Sequence, residues 1–175
     1  MLEVGCAHGP GGPSDPGLSY TEARTHFNAW CIVSSPLTLS HDLTNDTVQD
    51  AVWPIITNTE ALAVSAAWAG ASGSPFKSSG VERATRTKAD ENAAPTWQFF
   101  SKPVSATSTA ILLMNHDSVS HDFTVNFADI PGLNANTAYK LRDINAHADL
   151  GSFTGTWSIA GVASHDAPFI LISSA

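Results

Sequence analysis

The sequence predicts an α/β segment followed by an all-β domain, and three observations lead to that prediction. In the first third of the chain, apolar residues recur at helical spacing on both sides of one short apolar strand. Farther on, apolar and polar residues alternate with a period of two, as in the strands of a sheet with one wet face. The third observation is that no convincing helix interrupts these later strands. We therefore divide the chain of 175 residues into residues 1–66 and residues 67–175.

The first predicted helix follows a loop rich in Gly and Pro over residues 6–18, where no regular element can persist. Ser19 and Glu22 form a capping box, in which each side chain satisfies an N–H group that the helix leaves unpaired. We expect Pro36 to end this helix, because its ring disfavours helical geometry in the residue before it. The apolar stripe of the helix consists of Ala23, Phe27, Trp30, Cys31 and Ser34.

A short strand and a second helix come next. Leu37–Leu39 is the predicted strand, and the predicted helix over Val48–Ile56 begins at Thr44 or Asn45. Pro54 is expected to kink or interrupt that helix. Helix, strand and helix in series are typical of α/β proteins with a parallel sheet. A single strand forms no sheet, so we expect its partner strands to lie elsewhere, and not downstream.

The β-domain begins after a stretch of small residues from Ala66 to Ser79. Turn-forming residues such as Pro131-Gly132 separate its strands. The six predicted strands are Thr96–Ser101, Thr109–Asn115, Phe123–Phe127, Ala138–Asp143, Gly151–Ile159 and Pro168–Ser173. Short strands at this spacing predict an antiparallel sandwich.

Composition and charge exclude several classes of function. The net charge is −8 with only eight Lys and Arg residues, and the absence of a basic stripe argues against nucleic-acid binding. The longest apolar run, Ala110–Met114, is too short to span a membrane. The N-terminal residues lack the basic start and apolar stretch of a secretory signal. Cys6 and Cys31 lack metal-ligand spacing, and their pairing stays open. Asn45-Asp46-Thr47 fits the acceptor pattern for N-glycosylation, but such triplets also occur by chance, and this one fixes no compartment.

Three stretches within the first 65 residues carry a resemblance to a known family. Residues 1–5, Met-Leu-Glu-Val-Gly, are similar to the end of an Asp-Pro-Asp-Met-Leu-x-x-Gly motif. Residues 18–45 contain Leu-Ser-Tyr-Thr-Glu, Ser-Pro-Leu and Asp-Leu-Thr-Asn, and residues 57–64 are similar to an Asn-x-Glu-x-Ile-Ala-Val segment. In series they resemble the α-galactosidase (melibiase) family of retaining glycoside hydrolases. The loop before Leu18 is longer here, and Ser65-Ala66-Ala67-Trp68 replaces the family's Asn-Gln-Asp.

The resemblance implies a (β/α)₈ barrel followed by a C-terminal antiparallel β-sandwich domain. Residues 1–66 are then the incomplete C-terminal end of the barrel, and residues 67–175 are the sandwich. Within the barrel part, Tyr20–Ser34 matches the seventh helix, Leu37–Leu39 the eighth strand and Val48–Ile56 the eighth helix. Barrel enzymes carry their chemistry at the C-terminal ends of the strands, and only the last such ends are expected here.

The resemblance also implies the chemistry of the intact enzyme, which removes terminal α-linked galactose by double displacement. Retention needs two carboxyl groups about 5–5.5 Å apart. Both are aspartates in the family, and both positions precede Met1. No catalytic residue is therefore assigned in this chain, which is expected to be inactive alone, and no metal or other cofactor is implied. An α-N-acetylgalactosaminidase and a free-standing carbohydrate-binding or structural β-domain are the alternatives.

Candidate substrate-binding residues are few. Met1 matches the motif methionine that lines the sugar pocket in the family. Glu3 and Asp42 lie near the same face, although a loop-pinning carboxylate and a helix cap are the more frequent roles of such residues. Trp97 and Trp157 have rings that can stack on sugar, but in a sandwich we expect them in the core.

Four adjacent His-Asp pairs are attributed to chance, since neighbouring residues of a strand point to opposite faces. The pairs are His41-Asp42, His116-Asp117, His121-Asp122 and His165-Asp166. His116 and His121 flank a predicted turn and can meet across it, but a zinc site needs more ligands than two.

The expected partner is an α-galactoside bound by the intact enzyme, and neither nucleic acid nor a membrane is expected. The resemblance implies a secreted or a lysosomal or vacuolar protein. It leaves the oligomeric state open.

Overall fold

Three helices occupy the first third of the chain in the computed structural model, which describes residues 1–9, 12–80 and 95–174. They are α1 (Tyr20–Ile32), α2 (Asp46–Ile56) and α3 (Thr59–Ala66). The predicted Gly- and Pro-rich loop includes residues 10 and 11, which lie outside the described residues. In its described part the loop has an isolated bridge between His8 and Pro16.

Helix α1 begins at the predicted capping box. The Glu22 backbone N–H donates to Ser19 Oγ at 3.3 Å, and the Ser19 N–H donates to Glu22 Oε2 at 2.8 Å. The prediction that Pro36 ends the helix was wrong. Ser34 takes a left-handed φ of 59°, and the Ser35 N–H donates back to the Trp30 carbonyl at 3.0 Å. This reversal, which is a Schellman motif, ends α1 at Ile32.

The predicted strand at Leu37–Leu39 is reduced to a single parallel bridge between Leu2 and Leu39. The Leu2 N–H donates to the Thr38 carbonyl at 2.8 Å. One partner of this strand therefore does lie in the chain, upstream of α1, which corrects the expectation that its partners lie elsewhere. Among the described residues the backbone groups of Leu39 on the other edge have no hydrogen-bond partner.

Helix α2 begins after Asn45, whose Oδ1 accepts the Val48 N–H at 3.2 Å. The expected interruption at Pro54 does not occur, and α2 continues to Ile56. Pro54 lies near the C-terminal end, and both it and Asp50, whose carbonyl loses a partner, are exposed. Water can therefore take the place of the missing helical hydrogen bond.

Helix α3 was not predicted as a separate element. Asn58 caps it, because its Oδ1 accepts the N–H groups of Glu60 and Ala61 at 3.0 and 3.1 Å. The Asn58 amide also donates to the Ile144 carbonyl at 3.0 Å, so one side chain both starts the helix and ties it to the β-domain.

Eight strands are present in the described part of the β-domain, where six were predicted. They are β1 (Ser74–Ser78), β2 (Trp97–Ser105), β3 (Ser108–Asn115), β4 (His121–Asn126), β5 (Ala138–Asp143), β6 (Ala148–Thr154), β7 (Thr156–Val162) and β8 (Phe169–Ser174). Strand β1 was missed inside the small-residue stretch. The predicted strand Gly151–Ile159 is two strands, because the chain turns at Gly155, where φ is 78°.

The strands form two antiparallel sheets that pack as a sandwich, as predicted. The larger sheet has the order β1-β2-β3-β8-β5-β6, and the smaller sheet pairs β4 with β7. Between them lies the sandwich core, which includes Ile111, Leu113, Phe123, Val125, Trp157, Ile170 and Ile172.

The other face of the larger sheet is also buried, against the helices. This helix–sheet core joins residues of the sheet with residues of α1 and α3, among them Ala110, Leu112, Phe169, Phe27, Cys31 and Val64. Residues 110 to 113 of β3 alternate between the two cores and are all fully buried. The described residues contain one parallel bridge and no closed barrel.

Candidate functional site at the parallel bridge

The candidate site is the open face beside the bridge between Leu2 and Leu39. Leu2 and Val4 are fully buried in the helix–sheet core. Because side chains alternate along an extended segment, Met1 and Glu3 face away from that core. Met1 is 74% exposed. Its assignment as a sugar-pocket residue stays a prediction.

Glu3 is held through its backbone. Its N–H donates to Nε2 of His26 on α1 at 3.3 Å. The imidazole therefore accepts at Nε2 and carries its proton on Nδ1. Burial lowers the pKa of His26, and the Glu3 carboxylate opposes that shift only in part. The Glu3 carboxylate has no hydrogen bond among the described residues.

His41 and Asp42 follow the bridge but act separately. His41 is buried, with Nδ1 at 2.9 Å from the Val4 carbonyl oxygen and Nε2 at 2.8 Å from Gln49 Oε1. Asp42 Oδ1 accepts from the backbone N–H and the hydroxyl of Thr44 at 2.9 and 2.7 Å, and these bonds lower the pKa of Asp42. Asp42 therefore closes a turn before α2. The helix cap that was expected at Asp42 is made by Asn45 instead.

The remaining His-Asp pairs also lack contacts between their own two members. Asp122 accepts the Gly161 N–H at 2.7 Å, and Asp166 accepts from Arg24 at the same distance. Across the turn, His121 Nε2 lies 3.0 Å from Asp117 Oδ2. His121 is thus paired with an aspartate and not with His116. No group of three metal-ligating side chains occurs in the part of the chain that the structure describes.

The two tryptophans singled out from the sequence lie in the sandwich core. Trp157 is buried, and Trp97 is half-buried with its ring centroid 4.6 Å from that of Phe99. Neither ring is presented to an open surface as a stacking platform for sugar.

Sequence reasoning missed Lys102, which is fully buried beneath the helices. Its ammonium group donates to the carbonyls of Val64 and Ser65 at the C-terminal end of α3. A cation there complements the helix dipole, while burial lowers the pKa of Lys102. In the sequence Lys102 directly follows the predicted strand Thr96–Ser101, and no pattern there indicates that it is buried. Nearby Cys31 is a buried free thiol, and Cys6 is also free.

A second missed cluster joins α3 to the β-domain. Arg142 makes two hydrogen bonds to the Glu60 carboxylate, at 2.7 and 2.8 Å, and a third to Asp149 at 2.9 Å. His147 Nδ1 lies 2.8 Å from the same Glu60 carboxylate. Arg142 is the main cause of a lowered pKa for Glu60, and His147 adds to it. These contacts connect α3 to the β-domain, and we therefore assign them a role in holding the two parts together.

No helix in the described ranges has the length and apolar character that crossing a bilayer requires.

The fold defines a class: a β-sandwich that packs against three helices, beside a single open parallel bridge. Residues 94–172 match the family described as the alpha galactosidase C-terminal beta sandwich domain. An alpha-galactosidase from Oryza sativa subsp. japonica is 29% identical over 174 residues, covering 94% of this chain and 37% of that protein.

Solved structures agree on the fold. Alpha-galactosidase I from Mortierella vinacea superposes with a TM-score of 0.73 at 22% identity, covering 100% of this chain and 40% of that one. A β-L-arabinopyranosidase from Geobacillus stearothermophilus also gives 0.73, at 21% identity, over 95% of this chain and 33% of that one.

These matches confirm the resemblance of this chain to the C-terminal part of the α-galactosidase (melibiase) family. The chain spans little more than a third of the length of the first curated relative it matches. The fold is shared with an enzyme described as acting on another sugar, so it does not by itself specify the glycoside.

Proposed function

We propose that this chain is the C-terminal part of a retaining glycoside hydrolase that removes terminal α-linked galactose. In this proposal residues 1–66 are the closing units of a (β/α)₈ barrel, and residues 67–175 are the β-sandwich packed on their helices. The two catalytic aspartates belong to the part of the enzyme that precedes Met1. Met1 and Glu3 then line the rim of the sugar pocket.

The observation that carries the proposal is the unfinished parallel sheet. Leu39 pairs with Leu2 on one side, and its backbone groups on the other side have no partner in the described residues. Unpaired backbone groups at a strand edge favour pairing with further strands. A barrel supplies such strands on both sides of each member.

Exposed apolar side chains support the same proposal. Six of the eight large exposed apolar side chains of the described residues lie within the first 68 residues. They are Met1, Tyr20, Leu39, Leu43, Trp53 and Trp68. Apolar area of this kind is available for another part of a protein to cover.

Two experiments test the proposal. The purified 175-residue chain is incubated with a chromogenic α-galactoside, and release above the enzyme-free blank would contradict it. The coding DNA upstream of Met1 is then read, where in-frame codons for Asn-Asp-Pro-Asp support the proposal and an in-frame stop supports a free-standing β-domain.

The sugar specificity is tested on the extended protein. Expressed with the upstream reading frame, it is assayed in parallel on chromogenic α-galactoside and α-N-acetylgalactosaminide. Faster hydrolysis of the first is the expected result. Preference for the second would assign the α-N-acetylgalactosaminidase alternative.

A further inference from the structure

We propose that Asn45 is a site of N-linked glycosylation. Asn45-Asp46-Thr47 is the only Asn-x-Ser/Thr triplet in the 175 residues, and its middle residue is not proline. The proposal does not depend on which glycoside the intact enzyme cleaves. It rests on the placement of the triplet and on the atoms that its side chains leave free.

The triplet lies on an exposed surface. Every residue from Asp42 to Thr47 is exposed. In the preceding turn, the Asp42 carboxylate accepts hydrogen bonds from the backbone N–H and the hydroxyl of Thr44. The turn therefore does not fold over the Asn45 side chain. Among the described residues, an oligosaccharide at Asn45 would displace no packed side chain.

The two ends of the Asn45 amide have separate roles. Its Oδ1 accepts the Val48 N–H and caps α2. Its Nδ2 has no acceptor in the described part of the chain, and neither does the Thr47 hydroxyl. Glycosylation alters only the nitrogen and keeps the carbonyl oxygen. The modified side chain can therefore still cap the helix.

The transfer step balances without any oxidant or reductant. The donor is an oligosaccharide joined through its anomeric carbon to a lipid pyrophosphate. A bond forms between Asn45 Nδ2 and that carbon, and the bond from the carbon to the pyrophosphate oxygen breaks. The lipid pyrophosphate leaves with the electron pair, and the amide loses one proton to a base of the transferase.

The test uses the full chain behind a cleavable secretory signal, translated with endoplasmic-reticulum membranes. Only chains that are protease-protected and signal-cleaved are scored. We expect a single step of lower electrophoretic mobility that peptide N-glycosidase removes. An imported wild-type chain without that step would overturn the proposal.

Four variants sharpen the test. Thr47→Ala and Asn45→Asp should both lose the mobility step. Because Asn45→Asp keeps a good helix cap, the loss of the step in this variant cannot result from a disturbed start of α2. Thr47→Ser and the neighbouring Thr44→Ala should keep it. Modification of Thr47→Ala would show a different acceptor and overturn the assignment.

The structural half of the proposal has its own measurement. The thermal midpoint of the glycosylated chain is compared with that of the enzymatically deglycosylated chain, in which the asparagine has become a capping aspartate. Equal midpoints are expected. A clearly lower midpoint for the glycosylated chain would contradict the retained cap.

Discussion

At the scale of single residues, the start of α1 shows how few atoms fix a helix boundary. Ser19 and Glu22 exchange hydrogen bonds, and the pKa of Glu22 is lowered by those bonds to Ser19. Both residues were assigned correctly from the sequence, because a capping box is a purely local pattern.

Ser19→Ala should therefore destabilise the chain by about 1 kcal/mol, the usual cost of losing an N-cap. The free energy of unfolding from urea titrations measures this loss. Ser19→Asp, which restores an acceptor, is the matched control and should recover most of it. An unchanged midpoint for Ser19→Ala would mean that the helix start is fixed by tertiary contacts instead.

The two thiols should differ in reactivity. Cys31 is fully buried, and burial raises its pKa to about 12, so the reactive thiolate is scarce at neutral pH. Cys6 is only half-buried, with Sγ at 3.5 Å from Ser40 Oγ. A colorimetric thiol titration of the native chain should show one fast equivalent, which Cys6→Ser removes. The second should appear only in denaturant. Two fast equivalents in the native chain would contradict the burial of Cys31.

At the scale of helices and strands, the sequence predicted what periodicity and caps encode. Strand β5 agrees with its prediction at both ends, and β3 and β8 agree within one residue. Strand β1 was missed because its residues are mostly polar or small, and four of its five residues are exposed. The break between β6 and β7 depends on a backbone angle at Gly155, which no apolar pattern reports.

Gly155→Ala tests that break. The φ of 78° is unfavourable for a residue with a Cβ, whereas the nearest atom to such a Cβ, the Ala135 carbonyl oxygen, lies at an ordinary 3.7 Å. The cost is therefore conformational and should be about 1–2 kcal/mol. Gly155→Asn should cost less, because asparagine tolerates this region better. Equal losses for the two variants would indicate a steric cause.

The cluster around Glu60 predicts a dependence of stability on pH. The pKa of Glu60 is lowered in the folded chain, first by Arg142 and then by His147. The stability that ionised Glu60 contributes to the folded chain is therefore complete above the ordinary glutamate pKa of about 4.3. It is lost as the pH falls through the lower pKa that Glu60 has in the folded chain. The Glu60 side chain is 26% exposed, so the effect should not exceed about 1 kcal/mol.

Glu60→Gln should accordingly be less stable than the wild type at neutral pH and equal to it in strong acid. Chemical denaturation at several pH values measures the difference. Asp149→Asn is the control, since it neutralises another carboxylate beside the same Arg142 but at a more exposed position. A gap between Glu60→Gln and wild type that is constant with pH would rule out the electrostatic cause.

At the scale of the whole molecule, the sequence predicted the sandwich but not its second buried face. The run of apolar residues in β3 was predicted as a strand and as too short for a membrane, but not as a strand that is buried on both faces. It is continuous because neighbouring residues serve different cores. The buried Lys102 and the ties from Asn58 and Glu60 escaped prediction for a similar reason, since their partners lie far away in the sequence.

This arrangement sharpens the expectation for separate segments. Residues 1–66 alone should aggregate, because Phe27 and Leu2 lose their cover. Residues 67–175 keep the whole sandwich core and should fold, but with Leu112 and Phe169 uncovered and Lys102 without its acceptors. They should therefore bind more of a hydrophobic dye than the full chain does. Equal dye fluorescence, with near-ultraviolet circular dichroism retained, would contradict a shared sheet.

The alternation along β3 and β8 also bears on engineering. If this sandwich is fused to a different domain, its larger sheet presents an apolar face that is complementary to these particular helices. A successful chimera must include α1 and α3 together with the strands. Otherwise positions such as 110, 112 and 169 must be substituted with polar residues. A suitable boundary for such a chimera therefore lies upstream of α1. The change from helix to strand near residue 67 is a poor boundary.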